Sequence, residues 1–260
     1  MKQLSVVGTL CLAMGGLLGS SSANAVLVNR GGGMLYDTVL NVTWLQDGNY
    51  AATSGYCNAP GNCSNGATLG TMHWAQANTW ANSLEYGGYS DWRLARNTPV
   101  NGTASGWNYN GSINGSTDGG YNITSTFSEL SYMYYVNLGL KGAIYPDGST
   151  RGDYGIYGNG NITYGQNDVG LVRNLHSGAY WSGTANALFP DEYAWFFATG
   201  FGWQSGNGVQ GSNNFAAWAV RDGNVEVAAV PVPGSVALLA GGLALLGAVM
   251  RRRGRLAVDE

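Results

Sequence analysis

The chain has 260 residues, of which 10% are charged and 12% aromatic, with 42 glycines and a formal net charge of −3. Between residues 26 and 229, seven basic side chains stand against thirteen acidic ones, a balance of −6. An acidic surface with no basic run has no electrostatic footprint for a phosphate backbone, so nucleic acid is not an expected partner.

Lys2 is followed by a mostly apolar run to Leu18, and Ala23 and Ala25 form a small-x-small cleavage site. The expectation is a signal peptide over 1–25 and a mature N-terminus at Val26; the alternative is a retained N-terminal anchor. Residues 26–229 then read as one domain. Extended pieces are expected at Met34 to Asp37 and Val39 to Leu45. Cys57 and Cys63 flank Pro60-Gly61, and in an oxidising compartment they are expected to form a local disulfide. A pair of free thiols is the alternative, since a zinc site would need further ligands. Thr71 can cap a helix with apolar positions Trp74, Ala77, Trp80, Ala81 and Leu84, ended by Gly87-Gly88. Residues 97–122, rich in Gly, Asn, Ser and Thr, read as a long surface excursion.

Thr126 and Glu129 spell a capping box for a second helix, with Leu130, Met133, Tyr134 and Leu138 as its apolar stripe and Gly139 as its stop. A further loop is expected from about 142 to 170. Strands follow at Ala179 to Ser182, Tyr193 to Thr199, Phe201 to Gln204 and Phe215 to Arg221. The pattern is α+β, a single domain with two early helices and a late antiparallel sheet. From Val230 the chain reads Pro231, Pro233, Gly234, then an uninterrupted apolar run over 235–250 and the cluster Arg251, Arg252, Arg253 and Arg255. As a helix that run would reach about 24 Å, enough for a thin or temporary membrane span, with the arginines held on the cytoplasmic side.

Five blocks carry a resemblance. They are Met34-Leu35-Tyr36-Asp37, Val42-Thr43-Trp44-Leu45, Gly87-Gly88-Tyr89-Ser90-Asp91-Trp92-Arg93-Leu94, Tyr180-Trp181-Ser182-Gly183-Thr184 and Ala217-Trp218-Ala219-Val220-Arg221. They resemble the recurring blocks of the Lcl C-terminal-like domain family across most of residues 30–223. The resemblance implies a fold similar to C-type lectins and to the formylglycine-generating enzyme group. It implies no catalytic residue, because the family has no general activity; Ala95 stands where the family commonly has proline. The tail, residues 230–256, resembles the PEP-CTERM sorting signal at Pro231, Pro233, the apolar span and the arginines, with Val232 in place of the usual glutamate. That resemblance implies an exosortase-type processing enzyme as partner and export to the cell surface or beyond, after anchoring in the membrane through the C-terminal helix. A plain tail anchor is the alternative.

The residues offer little catalytic chemistry. His73 and His176 lie in no metal-binding motif and read as surface or satisfied polar residues, and no nucleophile elbow is present. Gly206 to Gly211 spells G-x-G-x-x-G with no helix after it, which reads as a hairpin loop rather than a dinucleotide site. Arg151-Gly152-Asp153 matches an adhesion tripeptide by letter only. Asp191-Glu192 reads as solvated charge, with general acid/base work or calcium binding as alternatives. No enzyme activity, cofactor or metal is expected. Trp107 and Trp203 lie in loop-like surroundings, whereas Trp181 and Trp195 fit the core. Aromatic faces among Asn and Asp suit neutral glycans, so Trp107, Trp203, Asp191 and Glu192 are the candidate ligand-binding residues. Three functional readings follow: a noncatalytic surface or matrix protein binding exopolysaccharide, a structural matrix component without a ligand, and an enzyme of the formylglycine-generating type.

Overall fold

The computed structural model describes residues 26–64, 69–103 and 105–225. The leader with Ala23 and Ala25, and the tail with Pro231, Pro233, Gly234 and Arg251 to Arg253, lie outside the described residues. Among the described residues no helix is long and apolar enough to cross a membrane. The fold is α+β, with few helices and mostly antiparallel sheets.

The chain begins as an antiparallel meander of β1 (Leu27–Gly31), β2 (Met34–Asp37) and β3 (Val42–Leu45). The strand expected from Val39 starts only at Val42. Asp37 Oδ1 accepts the N–H groups of Val39 and Leu40, each at 2.9 Å, and bends the chain into a turn first. After α1 (Tyr50–Thr53) and a 3₁₀ turn at Tyr56–Asn58, Cys57 and Cys63 form a disulfide with Cα atoms 5.1 Å apart.

Thr71 does not cap the first long helix. It belongs to β4 (Thr71–Met72), which pairs with Phe215 and Ala216, and α2 (Trp74–Asn82) starts after His73, whose N–H donates to Gln76 Oε1 at 3.0 Å. Ala77, Trp80 and Ala81 form its buried face. Beyond β5 (Arg93–Leu94), the stretch expected as a bare excursion carries the parallel pair β6 (Gly111–Ser112) and β7 (Gly119–Tyr121). Asp118 holds it in place, accepting the N–H groups of Val100 and Asn108 at 2.6 Å each.

The second helix exists without its expected capping box. α3 (Glu129–Tyr132) follows Ser128 and widens into a π turn over Met133–Asn137 before the chain turns at Gly139. Its cap residue Glu129 is taken by tertiary partners: Arg93 donates to its carboxylate at 2.8 and 2.9 Å, and the Arg96 N–H at 2.7 Å. An antiparallel hairpin, β8 (Gln166–Val169) and β9 (Val172–His176), occupies the end of the expected loop and the residues after it.

β10 (Ala179–Ala185), β11 (Tyr193–Ala198) and β12 (Trp203–Val209) then form an antiparallel meander. β12 runs through Gly206 and Gly208, which are not a hairpin loop. A Cβ at Gly206 would stand 3.0 Å from the Trp195 ring, and one at Gly208 2.6 Å from the Trp181 ring. The two glycines are the bed on which the tryptophans lie. Nor is Phe215 to Arg221 one strand. β13 (Phe215–Ala216) and β14 (Ala219–Asp222) belong to different sheets, and the chain crosses between them at Trp218, whose Nε1 donates to the Leu45 carbonyl at 2.8 Å.

One sheet has the order β1-β2-β3-β14-β5, a second β4-β13-β10-β11-β12-β7-β6, and β8 pairs with β9 in a third. Trp44, Trp92, Trp181, Trp195, Tyr134, Tyr180 and Phe197 are among the largest fully buried side chains. Three of the five blocks quoted for the family resemblance, 87–94, 180–184 and 217–221, meet at one joint. Asp91 accepts from Arg221 at 2.7 and 2.8 Å, Arg93 bridges Glu129 and Asp222, and the Ala95 carbonyl accepts the Ser182 hydroxyl at 3.0 Å and the Gly183 N–H at 2.8 Å. These residues tie the sheets together, a structural role.

Candidate functional site

Along β11 the side chains alternate. Trp195 and Phe197 are buried in the interior, while Phe196 stays half-buried. Phe196 meets Trp203 of β12 edge-on, with centroids 5.7 Å apart at 77°, and Phe215 of β13 at 4.8 Å. These rings form one wall of a cleft of about 330 Å³, within the usual size range of small-molecule sites. The opposite side comes from the loop before β8, with Ile162 and Tyr164. Tyr164 is 72% exposed and stacks on the His176 ring at 6.1 Å. The Gly165 carbonyl accepts the Ser177 N–H at 2.7 Å and fastens that loop to the end of β9. Thr199 locks the floor, its hydroxyl donating to the His176 carbonyl at 2.5 Å and accepting the Gly178 N–H at 3.2 Å.

Among the described residues, no Asp, Glu, Lys or Arg lines this cleft. His176 is 1% exposed, and burial pushes its pKa below the ordinary 6.5, with the Gly165 carbonyl pulling weakly the other way. The imidazole is therefore neutral at pH 7. Four lining residues carry a covered polar atom without a hydrogen-bond partner: Thr71 Oγ1, His176 Nδ1, Ser177 Oγ and Asn214 Oδ1. A buried polar group left unpaired costs about 1–3 kcal/mol, so four around one cavity stand out from the rest of the molecule. The cleft can hold a neutral molecule that offers apolar faces to the rings and hydroxyls to its polar rim.

Of the residues singled out from the sequence, Trp203 lines this cleft and is 37% exposed. It opens a strand rather than sitting in a loop. Trp107 is elsewhere and gives its face to the protein, stacking on the buried Trp195 at 4.9 Å and 22°. Asp191 and Glu192 are exposed and outside the cleft, and the Glu192 carbonyl takes the Gln210 N–H at 2.9 Å. His176, read as a surface or satisfied residue, is buried with an unpaired nitrogen. His73 is half-buried, with Nδ1 3.3 Å from the Asn213 carbonyl.

The reading of the sequence missed Phe196, Phe201, Phe215, Tyr164 and the polar rim. One signal was available: in Tyr193 to Phe197 the rings at 193, 195 and 197 share a face, which leaves Phe196 alone on the other. Among the described residues no group of three His, Cys, Asp or Glu side chains is placed to hold a metal ion. Compared with family models, with curated proteins and with solved structures, the chain finds no match in any of the three.

Proposed function

We propose that the protein is an exported, noncatalytic surface or matrix protein whose aromatic cleft binds a neutral extracellular glycan. The observation that carries this is the pairing of ring walls with unpartnered polar atoms in a cleft free of charged side chains. Sugar rings present C–H faces that pack on Phe196, Phe215 and Trp203, and hydroxyls that can satisfy Thr71, Ser177, His176 and Asn214 after small side-chain rotations. The C-type-lectin-like fold implied by the family resemblance belongs to the same proposal. It is supported by short helices in the first half and a strand meander in the second. Export, exosortase sorting and passage through the membrane rest on the leader and the tail, and the Cys57–Cys63 disulfide supports an oxidising compartment. The same disulfide leaves the domain without the free thiols that formylglycine-generating chemistry requires.

The test is a glycan array probed with the full-length protein and its Trp203→Ala and Trp107→Ala variants. Saturable binding to a neutral glycan is expected, weakened at least about tenfold by Trp203→Ala and unchanged by Trp107→Ala. A blank array from the folded protein sinks the proposal and leaves a structural matrix component without a specific ligand.

A further inference from the structure

The cleft does not end at Trp203. A second one, about 290 Å³, lies beyond it and shares Phe196 and Trp203 as lining residues. The pair is therefore a ridge between two halves of one groove, which crosses the seven-stranded sheet from β4 and β13 towards β7 and β6.

The two halves are built differently. The first is walled by side chains, while the second is floored by backbone, at Gly111, Gly119, Gly120 and Gly206. Gly120 has φ +110, and a Cβ there would fall on the Ser112 carbonyl oxygen, so that position admits no side chain. Tyr109 closes the far end, held by the Ala187 N–H donating to its hydroxyl at 2.9 Å. Gln204 points both amide hydrogens inward, to the Asp118 carbonyl at 2.8 Å and the Ser128 hydroxyl at 3.0 Å, and its buried Oε1 has no partner. Among the described residues, this half, too, is lined by no Asp, Glu, Lys or Arg. Both halves thus offer an aromatic surface and no charged side chain.

We infer that the two clefts form one groove for a neutral, linear oligosaccharide, with at least one sugar unit on each side of the Trp203–Phe196 ridge. The inference rests on the glycan reading above and adds the length and shape of the ligand: an unbranched chain gripped within its length. A single sugar can fill one cleft, but only a chain gains from both.

The experiment measures monovalent affinity of the full-length protein for ladders of unbranched neutral oligosaccharides, glucans and galactans of one to six units. The control is the Gly111→Leu variant, chosen because a Cβ at Gly111 meets nothing within 4 Å, so the added side chain enters the second cleft without disturbing the fold. Affinity is expected to rise at least about tenfold from one unit to the longer members and then level off. Gly111→Leu should abolish that gain, so that the longer members bind it no more tightly than the single unit does. A single unit binding as tightly as the long members, or a ladder indifferent to Gly111→Leu, overturns the two-sided groove and leaves the glycan reading standing. No binding at any length overturns both.

Discussion

His176 meets the rings of the cleft and the interior at once. Its ring stacks on Tyr164 and meets Tyr180 edge-on at 6.3 Å, its backbone N–H donates to the Tyr180 hydroxyl at 2.8 Å, and its Nδ1 is unpaired. Because burial lowers its folded pKa below 6.5, the unfolded chain binds the proton more readily. The stability it contributes is then complete above pH 6.5 and is lost as pH falls through the lower folded value. Asp91 and Asp222, held below the ordinary 3.8 by Arg221 and Arg93 respectively, lose their contribution only in more acidic solution. Thermal melts from pH 7.5 to 5 should therefore show a falling midpoint, and His176→Gln should flatten that slope; an unchanged slope would show that the imidazole is not the responsible group. Trp203 was legible from the sequence because its neighbours are Gly, Ser and Gln. His176 was not, since its burial depends on a loop that folds over it from residues 162–165, and no local pattern records that apposition.

The short helix at Glu129 shows how a correct local signal can be satisfied by a distant group. Helix existence follows from the apolar stripe, and Leu130, Met133 and Tyr134 are indeed buried. The cap does not follow, because the Arg93 guanidinium, 36 residues away, offers Glu129 two charge-assisted hydrogen bonds where a local cap would offer one neutral one. Arg93 itself is nearly buried and also pairs with Asp222 of β14, so α3, β5 and β14 share this contact. Glu129→Ala is expected to cost roughly 2–3 kcal/mol in denaturant unfolding. Thr126→Ala should stay within about 0.5 kcal/mol, as for a surface position. Equal effects from the two would restore the capping box. The hairpin of β8 and β9 escaped notice for a different reason: Gln166-Asn167-Asp168-Val169 has neither alternation nor β-branched enrichment, and it is held by pairing rather than by propensity.

Across the whole molecule, composition and strand spacing suffice for the α+β class, because the meander of β10 to β12 declares itself locally. What they cannot supply is the crossing from the seven-stranded to the five-stranded sheet, which the chain makes at Trp218, packed on Trp44 at 4.9 Å. Loops rich in Gly and Asn raise the entropy of the unfolded chain, and the Cys57–Cys63 clasp offsets a little of it. Cys57→Ser is expected to lower stability by about 2 kcal/mol, the order given by closing so short a loop. The same loss should appear on reduction of the wild type, and no loss on reduction would mean that the clasp constrains nothing.

The step from β13 to β14 has a mechanical meaning. β14 is the last strand before Val225, and it is not an edge: it is laddered to β3 on one side and to β5 on the other. A strand pulled along its length between two antiparallel partners must shear both ladders together, whereas an edge strand unzips bond by bond. Tension applied beyond Val225 therefore loads a strand that is held on both sides. That makes β14 a firmer point of attachment than an edge strand would be.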